Sequence, residues 1–181
     1  LQSQAPQQDF ISATYFLKKK KNLTQSLTFA STVSTILLSN NKPILADIDC
    51  ETLQIDPNKI GKKFDIITNV LFAGSASNSI LLRKKFKKKI IIEDASHALG
   101  GNYLDGSPIG SCKYSDLCIF SLHPVKSITS GEGGIVTTNN IKYYEKLKLL
   151  RSHGIIRKKD QSSNVKFISK SKHLNQSWYY E

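Results

Sequence analysis

The sequence predicts an α/β fold built on a mostly parallel sheet, and three observations carry that expectation. Short apolar or β-branched runs alternate with segments of helical period. Ile90-Ile91-Ile92 shows no polar alternation, as expected of a strand covered on both faces. Chemically versatile residues follow directly after such runs, and in open α/β sheets ligands bind beyond the carboxyl ends of the strands.

Taken in order, the first 22 residues are polar, end in Lys18-Lys19-Lys20-Lys21 and predict no element. Phe29, Val33, Ile36 and Leu37 fall at i, i+4, i+7 and i+8, which predicts a helix with these side chains on its core face. Asn40-Asn41-Lys42-Pro43 stops it, and a strand is expected over residues 43–48. A second strand is expected over 65–71, running into the small-residue turn Gly74-Ser75-Ala76-Ser77. Asn78 is expected to cap a short helix carrying Ile80, Leu81, Leu82 and Phe86. Lys84, Lys85, Lys87, Lys88 and Lys89 read as its solvated face. After the isoleucine triplet, residues 116–122 and 134–138 are strand candidates. Asn139 or Asn140 then caps a helix through Arg151, with Tyr143, Leu147 and Leu150 on one face and Gly154 closing it. The remainder, 155–181, is polar apart from Phe167, Trp178 and the two following tyrosines, and reads as a connector.

Composition narrows the function. A length of 181 residues allows one domain, or one and a small part of another. No window approaches the ~20 consecutive apolar residues of a spanning helix, and no secretory pattern opens the sequence. The sequence contains no Met, which leads to the expectation of a processed product or a fragment. The formal net charge of +12 is almost all lysine, with Arg83, Arg151 and Arg157 the only arginines. Nucleic-acid readers tend to use Arg for bidentate contacts, so a basic nucleic-acid-binding module is the weaker alternative. Cys50, Cys112 and Cys118 form no metal or disulfide spacing and are expected to be reduced, buried thiols in a cytoplasmic protein. No His/Cys cluster has zinc-ligand spacing.

Three segments sit where strands end: Glu93-Asp94-Ala95-Ser96-His97, Ser121-Leu122-His123-Pro124-Val125-Lys126 and Gly131-Glu132-Gly133-Gly134. A lysine amine can form a Schiff base with a carbonyl. Pyridoxal phosphate needs such a lysine together with a carboxylate against its ring nitrogen. Asp94 and Lys126 have the chemistry for these two roles, and Ser121 with nearby backbone N–H groups that for a phosphate. Spacing alone leaves other readings open: an Asp that caps a helix or binds Mg²⁺, a surface lysine, and structural histidines at 97 and 123.

The segments IIEDASHALGG (91–101), IGSCKYSDLCIFSLHPVKSITSGEGGIVTTN (109–139) and LKLLRSHGI (147–155) closely resemble the DegT/StrS-type sugar-nucleotide aminotransferases. That resemblance implies aminotransferase fold type I and pyridoxal 5'-phosphate as cofactor. It implies Lys126 as the lysine bonded to the cofactor and as proton shuttle, and Asp94 at the pyridine nitrogen. His97 would lie near the 3-hydroxyl, Ser121 at the phosphate, and Phe29, in LTFAST, stacked on the ring. His123 and Glu132 receive no definite role. EDASHALG, SLHPVK and the closing WYYE (178–181) are most similar to members serving pseudaminic acid biosynthesis. This implies amino transfer from glutamate to C4 of a UDP-linked 4-keto-6-deoxy sugar, by a homodimer with no specific nucleic-acid or membrane partner. An inactive remnant of such an enzyme is the alternative.

On this reading 1–22 is a divergent N-terminal segment, 23–154 part of the cofactor-binding large domain, and 155–181 a truncated connector toward a missing C-terminal domain. Two departures from the family pattern stand out. Its upstream hydroxyl-bearing phosphate motif has only a faint echo at Ser12-Ala13-Thr14, and a leucine, Leu71, replaces the histidine of its VHFAG segment.

Overall fold

The computed structural model describes residues 17–61, 63–151, 156–157 and 178–179. Six strands form one sheet: β1 (Lys21–Gln25), β2 (Lys42–Ala46), β3 (Ile66–Val70), β4 (Ile90–Asp94), β5 (Leu117–Ser121) and β6 (Gly134–Thr137). Their spatial order is β2-β1-β3-β4-β5-β6. The first five run parallel, and β6 returns antiparallel beside β5. Three helices accompany them: α1 (Ala30–Leu38), α2 (Ser79–Lys85) and α3 (Ile141–Arg151), with a single 3₁₀ turn at Phe72–Gly74. Ile156 and Arg157 (β7) pair antiparallel with Tyr179 and Trp178 (β8). The α/β, mostly parallel architecture expected from the sequence is therefore observed.

Every residue of β3 and β5 is buried, and β4 is buried after Ile90. Side chains alternate between the two faces of a strand, so each of these strands feeds two cores. Ile66, Ile92, Leu117 and Ile119 fill one face, where Tyr143 and Leu147 of α3 and Leu17 pack against them. On the other face Ile67 and Ile91 meet Leu82 and Phe86 from α2 and its end, with Phe64 edge-on to Phe86 at 5.3 Å. Further along that face, Cys118 and Phe120 pack under the 95–112 loop through Leu71, Ala98, Tyr103 and Ile109.

Several sequence expectations are corrected here. The strand β1 begins inside the segment expected to lack structure, and it is the neighbour of both β2 and β3. Its pattern hides it, because Asn22, Thr24 and Gln25 are all fully buried polar residues. Asn22 Oδ1 accepts from Thr68 Oγ1 at 2.9 Å, and Gln25 Nε2 donates to the Leu27 carbonyl. The apolar stripe of α1 is only in part its buried face. Thr32, Thr35 and Ile36 are buried while Leu37 is exposed, and Phe29 sits at the N-cap, outside the helix. Asn78 holds the N-cap position of α2, but its side chain donates to the Ile55 carbonyl and pairs with Asn69 instead. In α3 it is Asn140 that caps, its Oδ1 accepting from the backbone of Lys142 and Tyr143.

Cys112 and Cys118 are buried as expected, whereas Cys50 is exposed, in a turn that the Asp49 carboxyl closes by hydrogen bonds to Glu51 and Thr52. The expected closure of α3 at Gly154, the Ser12–Thr14 echo and most of the 155–181 segment lie outside the described residues.

Ile119 is 1% exposed on the interior strand β5, whereas Leu81 on α2 is 43% exposed. Ile119→Ala should cost about 2–5 kcal/mol of stability through transfer and cavity terms. Leu81→Ala should stay within about 0.5 kcal/mol. Thermal unfolding of the two variants side by side checks this; equal melting temperatures would contradict the packing described.

Candidate active site

One register fixes the site. Asp94 at the end of β4 lies opposite Ile119 on β5, so Ser121, two residues on, projects from the same face just beyond it. The turn from β1 into α1 brings Thr28, Phe29, Ser31 and Thr32 to the same edge. It does so because β1 lies beside β3 but sends its chain outward to β2, which opens a crevice where the strand order reverses. The β5–β6 hairpin supplies the remaining wall. It is closed by Leu122 N donating to the Gly133 carbonyl at 2.8 Å, and Lys126 N donates to the His123 carbonyl at 2.9 Å within it.

A cavity of about 520 Å³ results, and Phe29, Asp94, His97, Ser121 and Lys126 all line it. All five residues singled out in the sequence thus meet at one place, although they span almost 100 positions. Phe29 is 72% exposed, so its ring forms an open cavity wall and not part of the core, as its periodicity had predicted. Leu71, where the family pattern has histidine, is fully buried yet also reaches the cavity lining.

Asp94 is 6% exposed and has no basic partner among the described ion pairs. Burying a carboxyl group without compensation is expensive, and here hydroxyl donors compensate. Thr32 Oγ1 donates to Oδ2 at 3.0 Å, and Ser96 donates to Oδ1 from both Oγ (2.6 Å) and backbone N (3.2 Å). Thr28 Oγ1 in turn lies 2.8 Å from Thr32 Oγ1. Neither Thr32 nor Ser96 was picked out from the sequence. The Asp-x-Ser spacing of an Asx turn was the available signal for Ser96; Thr32, 62 residues away from Asp94, had none.

Glu93, the neighbour of Asp94, points through the opposite face and is fully buried. Ser79 Oγ and Tyr103 OH each donate to one of its oxygens at 2.6 Å. Burial, and then the adjacent Glu93, push the Tyr103 hydroxyl far above the ordinary tyrosine range. Glu93 therefore anchors the 95–112 loop from beneath, while Asp94 faces the cavity.

His97 lies edge-on to Phe72 with ring centroids 6.5 Å apart. Its pKa is lowered, first by partial burial and then by the positive charge of Lys126, against the opposing pull of Asp94. Its carbonyl also faces Gly74, whose φ of +85° and whose notional Cβ, 2.9 Å from that oxygen, both demand glycine. His123 Nδ1 accepts from Val125 N at 3.3 Å, and its Nε2 is 3.9 Å from Glu132 Oε1.

The DegT/DnrJ/EryC1/StrS aminotransferase family model matches residues 13–176, and the chain belongs to that family. It is 40% identical over 157 residues to the UDP-4-amino-4,6-dideoxy-N-acetyl-β-L-altrosamine transaminase of Campylobacter jejuni strain 81-176, covering 82% of this chain and 41% of that protein. It is 36% identical over 139 residues to the UDP-4-amino-4-deoxy-L-arabinose–oxoglutarate aminotransferase of Shewanella sediminis, covering 74% and 35% respectively. Among solved structures, Helicobacter pylori PseC, an aminotransferase of pseudaminic acid biosynthesis, superposes with a TM-score of 0.77 at 28% identity. That match covers 86% of this chain and 44% of PseC. The chain thus spans about two fifths of the length of the curated relatives it matches.

Pyridoxal 5'-phosphate is the cofactor of this family, and the residues present fit it. A buried carboxyl group oriented by two hydroxyls suits a protonated ring nitrogen. A lysine amine, a buried serine hydroxyl and an exposed aromatic face complete the donor set around the same cavity.

The electrostatic reading of His97 is testable. Its NMR titration midpoint should lie below the ordinary value near 6.5. Lys126→Met should raise it by removing the larger of the two charge effects. A midpoint that falls in that variant would contradict the arrangement. Because the neutral ring is the favoured form, any contribution of His97 to stability should be present above pH ~6.5 and decline as the pH falls below it.

Proposed function

We propose that this chain forms the cofactor-binding part, residues 23–154, of a pyridoxal-phosphate-dependent sugar-nucleotide aminotransferase. The observation that carries the reading is the meeting of Asp94, Ser121 and Lys126 on one cavity at the carboxyl ends of β4 and β5. When bound, pyridoxal phosphate supplies an electron sink and carries an amino group from donor to acceptor.

The roles of the residues derive from their surroundings. Asp94, fixed by Thr32 and Ser96, would accept a hydrogen bond from the protonated pyridine nitrogen, keeping it protonated and holding the ring's orientation. Ser121, 3% exposed at the end of β5, would donate to the phosphate, and the ring of Phe29 would cover one face of the cofactor. His97 sits where it would adjust the 3-hydroxyl side. Lys126 would bond the cofactor through Nζ and, once displaced by a substrate amine, move the proton between carbon centres.

For substrates we propose glutamate as amino donor and C4 of a UDP-linked 4-keto-6-deoxy sugar as acceptor. Two likenesses support this choice: one relative is named for a UDP-4-amino-4,6-dideoxy sugar, and another for a UDP-amino sugar paired with oxoglutarate, the keto acid of glutamate. A homodimer and a cytoplasmic setting belong to the same reading. Among the described residues no helix is long and apolar enough to cross a membrane.

The protein mixed with pyridoxal phosphate should develop visible absorption, and borohydride should then leave a phosphopyridoxyl mass on the peptide containing Lys126. Lys126→Ala should abolish both, and Asp94→Ala should lower amino transfer by 10²-fold or more at similar thermal stability. Unchanged absorption and labelling in Lys126→Ala would sink the assignment.

A further inference from the structure

The lysines that look scattered in the sequence are gathered by the sheet topology at one pole. Strands β1 to β4 run parallel, so their N-terminal ends share one edge. Lys19, Lys20 and Lys21 lead into β1, Lys42 opens β2, Lys63 precedes β3, and Lys87 and Lys88 precede β4. All seven are exposed. Backbone hydrogen bonds tie these entries together: Lys19 N to the Asn40 carbonyl, Lys42 N to the Lys20 carbonyl, and Asp65 N to the Lys21 carbonyl. Among the three residues that precede each of these four strands the sole carboxylate is Asp65, and its Oδ2 accepts from the backbone N of Lys21. None of the seven takes part in a described ion pair. Neighbouring strands lie ~4.8 Å apart, so lysines on adjacent strand entries stand within the ~8–10 Å screening length of physiological salt, and their fields overlap along the row.

We propose that this lysine pole is a docking surface for a bilayer carrying anionic lipid. Three observations favour a membrane over a nucleic acid. The charges are all lysine, compact point charges without the planar fork that reads bases and grips single phosphates. Arg83, which reaches the Lys89 carbonyl just before β4, is committed to that carbonyl, to the Tyr114 carbonyl and to Asp116. The aromatic rings at this end, Phe64 and Phe86, are buried against each other and offer no face for a base to stack on. Juxtamembrane lysine clusters of this size are what anionic leaflets attract. The geometry also leaves the cavity free, because Asp94 stands at the opposite end of β4, and Ser121 and Lys126 stand at and beyond the corresponding end of the parallel neighbour β5. A membrane partner departs from the sequence expectation, and it does not depend on the proposed reaction.

The test is sedimentation of the protein with phosphatidylcholine vesicles, with and without phosphatidylglycerol. Binding should require phosphatidylglycerol and weaken steeply with added salt. The quadruple variant Lys19→Gln, Lys20→Gln, Lys87→Gln, Lys88→Gln should bind on the order of a thousandfold more weakly. Circular dichroism should confirm that its fold is unchanged. The salt titration of the unaltered protein tests the same point should that variant unfold. Equal binding to neutral vesicles, salt-insensitive binding or an unaffected folded variant would each overturn the proposal. So would tighter binding to a single-stranded oligonucleotide than to anionic vesicles.

Discussion

Asp94 stands opposite Ile119 across the β4–β5 register, and most of the site's architecture is a consequence of that alignment. Shifting the register by one residue would exchange the faces of every side chain on β4. Asp94 would then enter the apolar layer beneath the 95–112 loop, and Glu93 would take its place at the cavity. The register is held by the isoleucines before it. Ile91 belongs to the α2 face and Ile92 to the α3 face, and both layers are dense enough to make a slip costly.

Two adjacent acids therefore have different fates. Each is buried, each lacks a basic partner among the described ion pairs, and each is compensated by hydroxyl donors. Glu93 spends both oxygens on Ser79 and Tyr103 and so ties α2 and the following loop to the sheet. Asp94 receives Thr32 and Ser96, which orient its carboxyl group while leaving it on the cavity lining. A hydrogen bond to a charged acceptor contributes about 1.5–3 kcal/mol, and an unmade one in a buried place costs as much. Both networks thus act as positional constraints as well as stabilising ones.

Much of this was legible in the sequence. The isoleucine triplet announced a doubly covered strand because it presents an apolar side chain to both faces in turn, with no polar alternation. The acid, serine and lysine segments announced chemistry because of where they followed their strands. The features that stayed hidden have physical causes. Strand β1 is polar and buried, so hydrophobic pattern could not reveal it. Thr32 reaches Asp94 from 62 residues away, a contact made only by folding. Phe29 fits a helical stripe in sequence, yet the helix begins one residue later and leaves the ring in the cavity wall.

The sequence by itself determined the α/β class, the strand ends where chemistry gathers and the family whose segments it shares, because these depend on local pattern and short motifs. Only the tertiary structure decided which hydroxyls hold Asp94, which acid faces the cavity and how the lysines are distributed. A run such as Lys87-Lys88 looks like any solvated surface when read along the chain. It becomes part of a charged pole only when parallel pairing sets four strand beginnings side by side, since electrostatic fields add across space and not along sequence.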